Sequence, residues 1–340
     1  MSSAACAPSR PATTLSFEVM PPRHPDRAPK FWNCVDNLIT ARPDFVSVTY
    51  GAAGRDRDTA RDVATRIVRE APVHPIAHLT CVGTARAEVA NVISDYLDSG
   101  VRTFLALRGD PPVGNPDWHP AADAPQSAVE LIRLIRQIED HRIAHYPGAA
   151  LRAAYRPLTI AVATFPAGNP AAGTSPEQEA ERLLVKQAAG ADFAVTQLFF
   201  EPDTYLSFVD KARAIGVTIP IVAGILPPTD PARLRRTQEL TGIEAPRFLM
   251  DDLSRAADEA ELQRTGIRHG ASLAAEILEG GAPGLHIYTF NKFQPALGLL
   301  REVGLLEESS IDEGAGASTR PTPRTGPTDR PLSPLTTKES

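Results

Sequence analysis

Thr103-Phe-Leu-Ala-Leu-Arg-Gly-Asp-Pro-Pro112 is an apolar run that stops at an arginine, a glycine and an aspartate before two prolines. It reads as a buried strand ending in a rigid loop. From Phe104 to Leu107 it has no polar face, as expected of a parallel strand covered on both sides. Arg108 and Asp110 therefore stand at its C-terminal mouth, where parallel α/β folds keep their chemistry.

Working outward, similar stretches recur on both sides. Before it lie Thr14-Leu-Ser-Phe-Glu-Val-Met20, Asp44-Phe-Val-Ser-Val-Thr-Tyr50 and Ile76-Ala-His-Leu-Thr-Cys-Val82. After it lie Leu158-Thr-Ile-Ala-Val-Ala-Thr164, Asp192-Phe-Ala-Val-Thr-Gln-Leu-Phe-Phe200, Ile219-Pro-Ile-Val-Ala223 and Leu285-His-Ile-Tyr-Thr-Phe290. Helical spacing fills the intervals, near 28–41, 57–70, 85–99, 126–141, 202–215, 231–240 and 254–279. Ser175-Pro-Glu-Gln adds a helix start, with a cap, a first-turn proline and acids at the positive end of the dipole. Eight strands alternating with helices predict an α/β chain folded as a (β/α)8 TIM barrel, one domain over 14–308. An open doubly wound sheet is disfavoured because no Gly-x-Gly-x-x-Gly follows the first strand. Residues 1–13 read as a flexible N-terminus. Residues 309–340, rich in Gly, Ser, Thr and Pro, read as a disordered tail.

Composition narrows the function. A hydrophobic content of 42% in 340 residues suffices for a large core. A net charge of -6 argues against nucleic acid as partner, since phosphate binding needs a basic surface. Cys6, Cys34 and Cys81 form neither a disulfide framework nor a C-x-x-C pair, which suits a reducing, cytoplasmic setting. The N-terminus lacks the apolar segment of a secretory signal, and no stretch is apolar for long enough to span a membrane.

The residues at the strand ends carry the functional signal. Glu18, flanked by Phe17, Val19 and Met20, must be compensated or have a raised pKa. Asp110 has a bland reading as a turn cap with Arg108 as its ion-pair partner. His74 and His78 suggest a metal site, but four residues of strand span ~13 Å, too far for one ion, so no metal is expected. Gly51-Ala-Ala-Gly54 is a weak phosphate-loop signal. Gln197, read as a buried amide between apolar neighbours, wants partners for both donor and acceptor, as a heterocycle would provide.

Six ordered motifs resemble the bacterial 5,10-methylenetetrahydrofolate reductase family, collinearly from Leu15 to Gly304. They are Ser16-Phe-Glu-x-x-Pro-Pro-Arg23, Asp44-Phe-Val-Ser-Val-Thr-Tyr-Gly51, Ala77-His-Leu-Thr-Cys81, Leu105-Ala-Leu-Arg-Gly-Asp-Pro-Pro112, Thr196-Gln-Leu-Phe-Phe200 and Gly224-Ile-Leu-Pro227. The resemblance implies an FAD-containing TIM barrel that reduces methylenetetrahydrofolate to methyltetrahydrofolate for methionine synthesis. NADH or NADPH would supply the hydride in a ping-pong relay through the flavin. Folate and the nicotinamide dinucleotide are then the partners, and such barrels are often homo-oligomers.

The same resemblance makes Glu18 a general acid with an elevated pKa, Asp110 a stabiliser of the iminium, and Gln197 a contact for pterin and nicotinamide. Thr49, Tyr50, Ala52, His78, Arg108, Gly109, Asp110, Ala128, Phe165 and Lys186 fall on flavin-contacting positions. Arg233 and Lys292 fall on folate-contacting ones. Departures from the family's pattern at Ala167, Asn169, Glu179, Arg182 and Val185 bear on the adenosine end of FAD. They prompt one alternative, a reductase that passes hydride from nicotinamide to folate without flavin; another, of a different class, is a folate-binding barrel without turnover.

Overall fold

The computed structural model describes residues 13–50, 57–109 and 120–306. The expected flexible N-terminus apart from Thr13, the expected disordered tail, the Gly51–Gly54 loop with Ala52, and Asp110 lie outside the described residues.

Eight parallel strands close in sequential order: β1 (Thr14–Val19), β2 (Phe45–Val48), β3 (His74–Thr80), β4 (Thr103–Leu107), β5 (Thr159–Thr164), β6 (Phe193–Thr196), β7 (Ile221–Ile225) and β8 (Gly284–Tyr288). The expected TIM barrel is the fold. The outer helices among the described residues are α1 (Ala28–Ile39), α2 (Arg57–Glu70), α3 (Arg86–Asp98), α4 (Ala128–His145), α5 (Pro147–Tyr155), α6 (Pro176–Ala188), α7 (Pro202–Ala214), α8 (Pro231–Thr241), α9 (Arg247–Ser254), α10 (Glu259–Glu279) and α11 (Phe293–Glu302).

Strand pleating sorts the side chains. Phe17, Val19, Val46, Val48, Phe104, Ile160, Val162, Leu285 and Ile287 join the main core with the helices. The helices answer with apolar stripes; α1, for example, buries Phe31, Cys34, Val35 and Leu38. Full burial of one such Leu or Phe is worth about 1.5–3 kcal/mol. Ile76, Leu105 and Ala161, with Phe45, Leu107 and Phe193 against them, form a separate small core. These residues alternate with the helix-facing set, so they fill the inside of the barrel.

Several boundaries differ from the sequence reading. The helix expected over 254–279 starts only at Glu259, because Asp258 accepts the N–H of Glu261 at 2.7 Å and caps it there. α5, α9 and α11 carry no expectation from the sequence. β6 ends at Thr196, so Gln197 stands just past the strand and is half-buried, not lodged in it. β7 is shifted two residues onward and includes Gly224.

Gly224 is required by close approach. A Cβ there would lie 2.2 Å from the Thr196 carbonyl oxygen and 2.8 Å from the Tyr288 ring. Its own N–H donates to Thr196 Oγ1 at 2.8 Å. Replacing Gly224→Ala is expected to cost about 1–3 kcal/mol through forced displacement of β6 or Tyr288, read as a lower midpoint in urea denaturation.

Candidate functional site

The register brings Glu18 beside Ser47 of β2 and Tyr288 of β8. Glu18 lies on the inward face, one residue out of phase with Phe17 and Val19. Two histidines meet it there: His78 Nε2 and His286 Nε2 are each 3.8 Å from Glu18 Oε2. Each imidazole is held by a serine, His78 Nε2 by Ser47 Oγ at 2.7 Å and His286 Nδ1 by Ser16 Oγ at 2.8 Å. Both serines and both histidines are buried, whereas the Glu18 side chain is 22% exposed and forms the outer end of the cluster.

Electrostatics at Glu18 correct the expectation of an elevated pKa. Burial raises the carboxyl, but contact with His286 and the electrostatic effect of the two imidazoles more than offset it, so it sits below its ordinary value. Compensation wins over desolvation because the pleat turns Glu18 toward the imidazoles and away from its apolar sequence neighbours. His78 moves the other way: burial is the larger effect and, despite Glu18, lowers it to about 4. Tyr288 is pushed well above its ordinary value by burial and by the Glu18 charge. It remains a neutral phenol donating to the Thr196 carbonyl at 2.7 Å.

The mouth of β8 is latched to β1. Phe290 and Asn291 adopt positive φ, 47° and 58°, a backbone region costing non-glycine residues of order 1–3 kcal/mol each. Asn291 accepts the Met20 N–H at 2.9 Å and donates to the Met20 carbonyl at 2.7 Å. Thr289 donates to the Glu18 carbonyl at 2.6 Å. These bonds hold the turn and fix the backbone of Glu18. The turn also sets Phe290 beneath the guanidinium of Arg233, 4.5 Å from the ring centre. Asp230 lies 3.5 Å from both Arg233 and Lys292, so the two proposed folate contacts line one cleft with Leu226, Tyr288 and Phe290.

Gln197 Oε1 accepts the N–H of Leu198 at 2.9 Å, and the Gln197 N–H donates to the Thr164 carbonyl at 2.7 Å. The side-chain acceptor is thus already engaged, and its NH2 group is the part left to meet a ligand. Tyr288 ties this corner to Glu18 through Thr196.

The residues assigned to flavin are more dispersed. Thr49 and Tyr50 follow β2, Phe165 follows β5 and Ala128 opens α4, all half-buried. Arg108 is exposed, its Nε donating to the Gly109 carbonyl at 3.2 Å. Gly109 has φ 84°, and a Cβ there would lie 2.8 Å from Val82, so the tight exit from β4 excludes other residues. On α6, Lys186 Nζ donates to the Ala163 carbonyl of β5 at 2.7 Å, and burial lowers its ammonium pKa. Glu179 is buried, accepting from Thr174 Oγ1 at 2.6 Å and Arg182 at 2.9 Å, and Val185 is exposed. A flavin dinucleotide would meet on α6 a lysine bonded to backbone, an internally paired Glu–Arg couple and an aliphatic side chain. This donor set does not fit the pyrophosphate and adenosine of FAD.

His286, Ser16 and Ser47 are missing from the residues singled out in the sequence. The available signal was the two-residue spacing of His286 from Tyr288 and of Ser16 from Glu18, which puts each pair on one strand face.

Comparison with known proteins follows the same lines. A family model described as methylenetetrahydrofolate reductase matches residues 5–304. A probable methylenetetrahydrofolate reductase (NADH) of Oryza sativa subsp. japonica is 32% identical over 308 residues, covering 88% of this chain and 49% of that protein. A 5,10-methylenetetrahydrofolate reductase of Pectobacterium carotovorum subsp. carotovorum is 30% identical over 297 residues, covering 86% and 90%. The chain thus spans about half the length of the plant relative and most of the bacterial one. Among solved structures, a Clostridium thermocellum protein described as binding two copies of 5-methyl-5,6,7,8-tetrahydrofolic acid superposes with a TM-score of 0.54. It covers 87% of this chain and 94% of its own at 15% identity, a likeness of fold.

The buried neutral His78 makes stability depend on pH. Its pKa falls from the ordinary 6.5 to about 4 on folding, so the unfolded chain binds more protons between those values and stability is lost as pH falls through that window. The loss attributable to His78 approaches about 3 kcal/mol at the acid end. Urea titrations from pH 7.5 to 4 should show a shallower slope for His78→Asn than for the parent.

Proposed function

Because the chain belongs to the methylenetetrahydrofolate reductase family, we propose that it reduces 5,10-methylenetetrahydrofolate to 5-methyltetrahydrofolate with hydride from NADH or NADPH. The observation that carries this reading is a carboxylate on the inner face of a barrel strand, bracketed by two imidazoles and opening into the mouth.

In this reading Glu18 gives a proton to N10 of the substrate. The C–N10 bond opens with its electron pair going to N10, and N5 forms the iminium that accepts hydride. Gln197 presents its NH2 group to the pterin or to the nicotinamide amide, both rich in acceptors. Arg233 and Lys292, positioned around Asp230, take the anionic end of the folate, with Phe290 as an apolar wall beside them. Asp110 is assigned to stabilising the iminium by the resemblance alone.

Two routes for the hydride follow from different observations. The family resemblance favours a relay through FAD, which when bound would carry two electrons between the substrates. The α6 donor set favours direct transfer from nicotinamide to folate, since Lys186 is bonded to Ala163 and Glu179 to Arg182. A non-catalytic folate-binding barrel has no need of a carboxylate poised between two histidines.

An absorption spectrum of the freshly purified protein separates the routes. A yellow protein bleached by NADH and reoxidised anaerobically by methylenetetrahydrofolate establishes the relay. A colourless protein that consumes NADH only when folate is present establishes direct transfer. In either case Glu18→Gln should lower folate-dependent NADH oxidation by about 100-fold or more while remaining folded by circular dichroism. Full activity in that variant would remove Glu18 from the acid role, and absence of folate-dependent NADH oxidation in the parent protein would leave only the binding module.

A further inference from the structure

Two cations meet in the cleft beside the mouth, Arg233 from α8 and Lys292 at the start of α11, and Asp230 Oδ2 stands 3.5 Å from each. Methylenetetrahydrofolate ends in a glutamate with two carboxylates, one for each cation. We infer that Asp230 is a specificity-determining residue of this cleft: its fixed carboxylate stands between the two cations where a ligand carboxylate would bind, and so limits how tightly the glutamate end is held. This rests on the reading of the cleft as the folate site.

The two oxygens of Asp230 have separate tasks. Oδ1 accepts the Arg233 backbone N–H at 3.1 Å and caps α8, while Oδ2 faces the guanidinium and the ammonium. Only the first task is structural, since any side chain with a suitable acceptor performs it. A separation of 3.5 Å is too long for a hydrogen bond and well within the reach of charge. Arg233 Nε is buried and has no hydrogen-bond partner among the described residues, so the guanidinium keeps a donor without an acceptor. Among the same residues no other acid pairs with Arg233 or Lys292.

The carboxylate is held in place from behind. Its loop lies on α10, where a Cβ on Gly266 would come within 2.4 Å of the Pro228 carbonyl oxygen and 2.9 Å of Thr229 Cα. The Thr229 N–H donates to the Pro227 carbonyl at 2.9 Å. Arg233 in turn is laid over Phe290, in the turn that Asn291 ties to Met20. Acid and guanidinium are thus each fixed by groups other than the opposing charge. Two cations and one acid leave the cleft with a single net positive charge. A ligand carboxylate entering it is attracted by the cations and opposed by Asp230 at close range. The glutamate end is unchanged by the reaction, so holding it harder would favour substrate and product equally and bring no faster chemistry.

The test is calorimetric binding of 5-methyltetrahydrofolate, the proposed product, to the purified parent protein and to Asp230→Asn. Asparagine keeps the cap on α8 and the size of the side chain but not the charge. The variant should bind about fivefold more tightly at low ionic strength, and the gap should close as salt is raised, because the added attraction acts between charges in a solvent-open cleft. 5-Methyltetrahydropteroate, which lacks the glutamate, should bind parent and variant alike. Equal or weaker binding of the folate by Asp230→Asn overturns the proposal, and so does a gain that the pteroate shares. A parent protein that does not bind 5-methyltetrahydrofolate, or a double variant Arg233→Gln, Lys292→Gln that binds it as the parent does, overturns the reading of the cleft and the proposal with it. If Asp230→Asn does not fold, Asp230→Ser, which also offers a cap acceptor, replaces it with the same expected gain.

Discussion

Eight parallel strands that close on themselves leave an interior wide enough for one set of side chains, and the pleat allots alternate residues to it. Everything at the candidate site follows from this parity. Phe45, Ile76, Leu105, Ala161 and Phe193 fill the inside with apolar volume. The polar set of Ser16, Ser47, His78 and His286 shares the inward face, with Glu18 as its outer member. A slip of one residue in β1 would send Phe17 and Val19 inward and press Glu18 into the helix layer, where no imidazole waits.

Parity places the carboxylate, and the loops hold it. The Thr289–Asn291 turn accepts two left-handed residues and recovers their strain in bonds to Glu18 and Met20. The bare backbone of Gly224 lets Tyr288 reach across to β6. Together these contacts couple β1, β6, β7 and β8 around the acid, so Glu18 and Gln197 belong to one rigid corner. The α6 side is built differently, its charges being satisfied within the protein. A helix whose charged groups already have partners has less to give an anionic ligand, since each bond to the ligand would first break one inside the fold.

The linear pattern determined the architecture. Runs such as Thr103–Leu107, separated by segments of helical spacing and ended by Gly or Pro, are sufficient for an eight-stranded parallel barrel, because strand burial and helix amphipathicity are local properties. Boundaries were less legible: the capping aspartate Asp258 delays the start of a helix that reads as beginning at Ser254, and β6 ends at Thr196, leaving Gln197 just beyond it. The composition of α5 carries no clear periodicity, and its Leu151 and Tyr155 remain exposed.

At the site, the sequence by itself singled out Glu18 and Gln197, because polar groups among apolar neighbours are conspicuous in one dimension, whereas His78, Arg233 and Lys292 became candidates through the family resemblance. The direction of the Glu18 pKa shift was decided only in three dimensions. Its chain neighbours are Phe17 and Val19, which argue for a raised value, but its spatial neighbours come from strands 60 and 268 positions away, by subtraction of residue numbers. Ser16 and His286 meet because the last strand closes on the first. That closure is a property of the whole sheet, and charge acts through distance in space rather than along the chain.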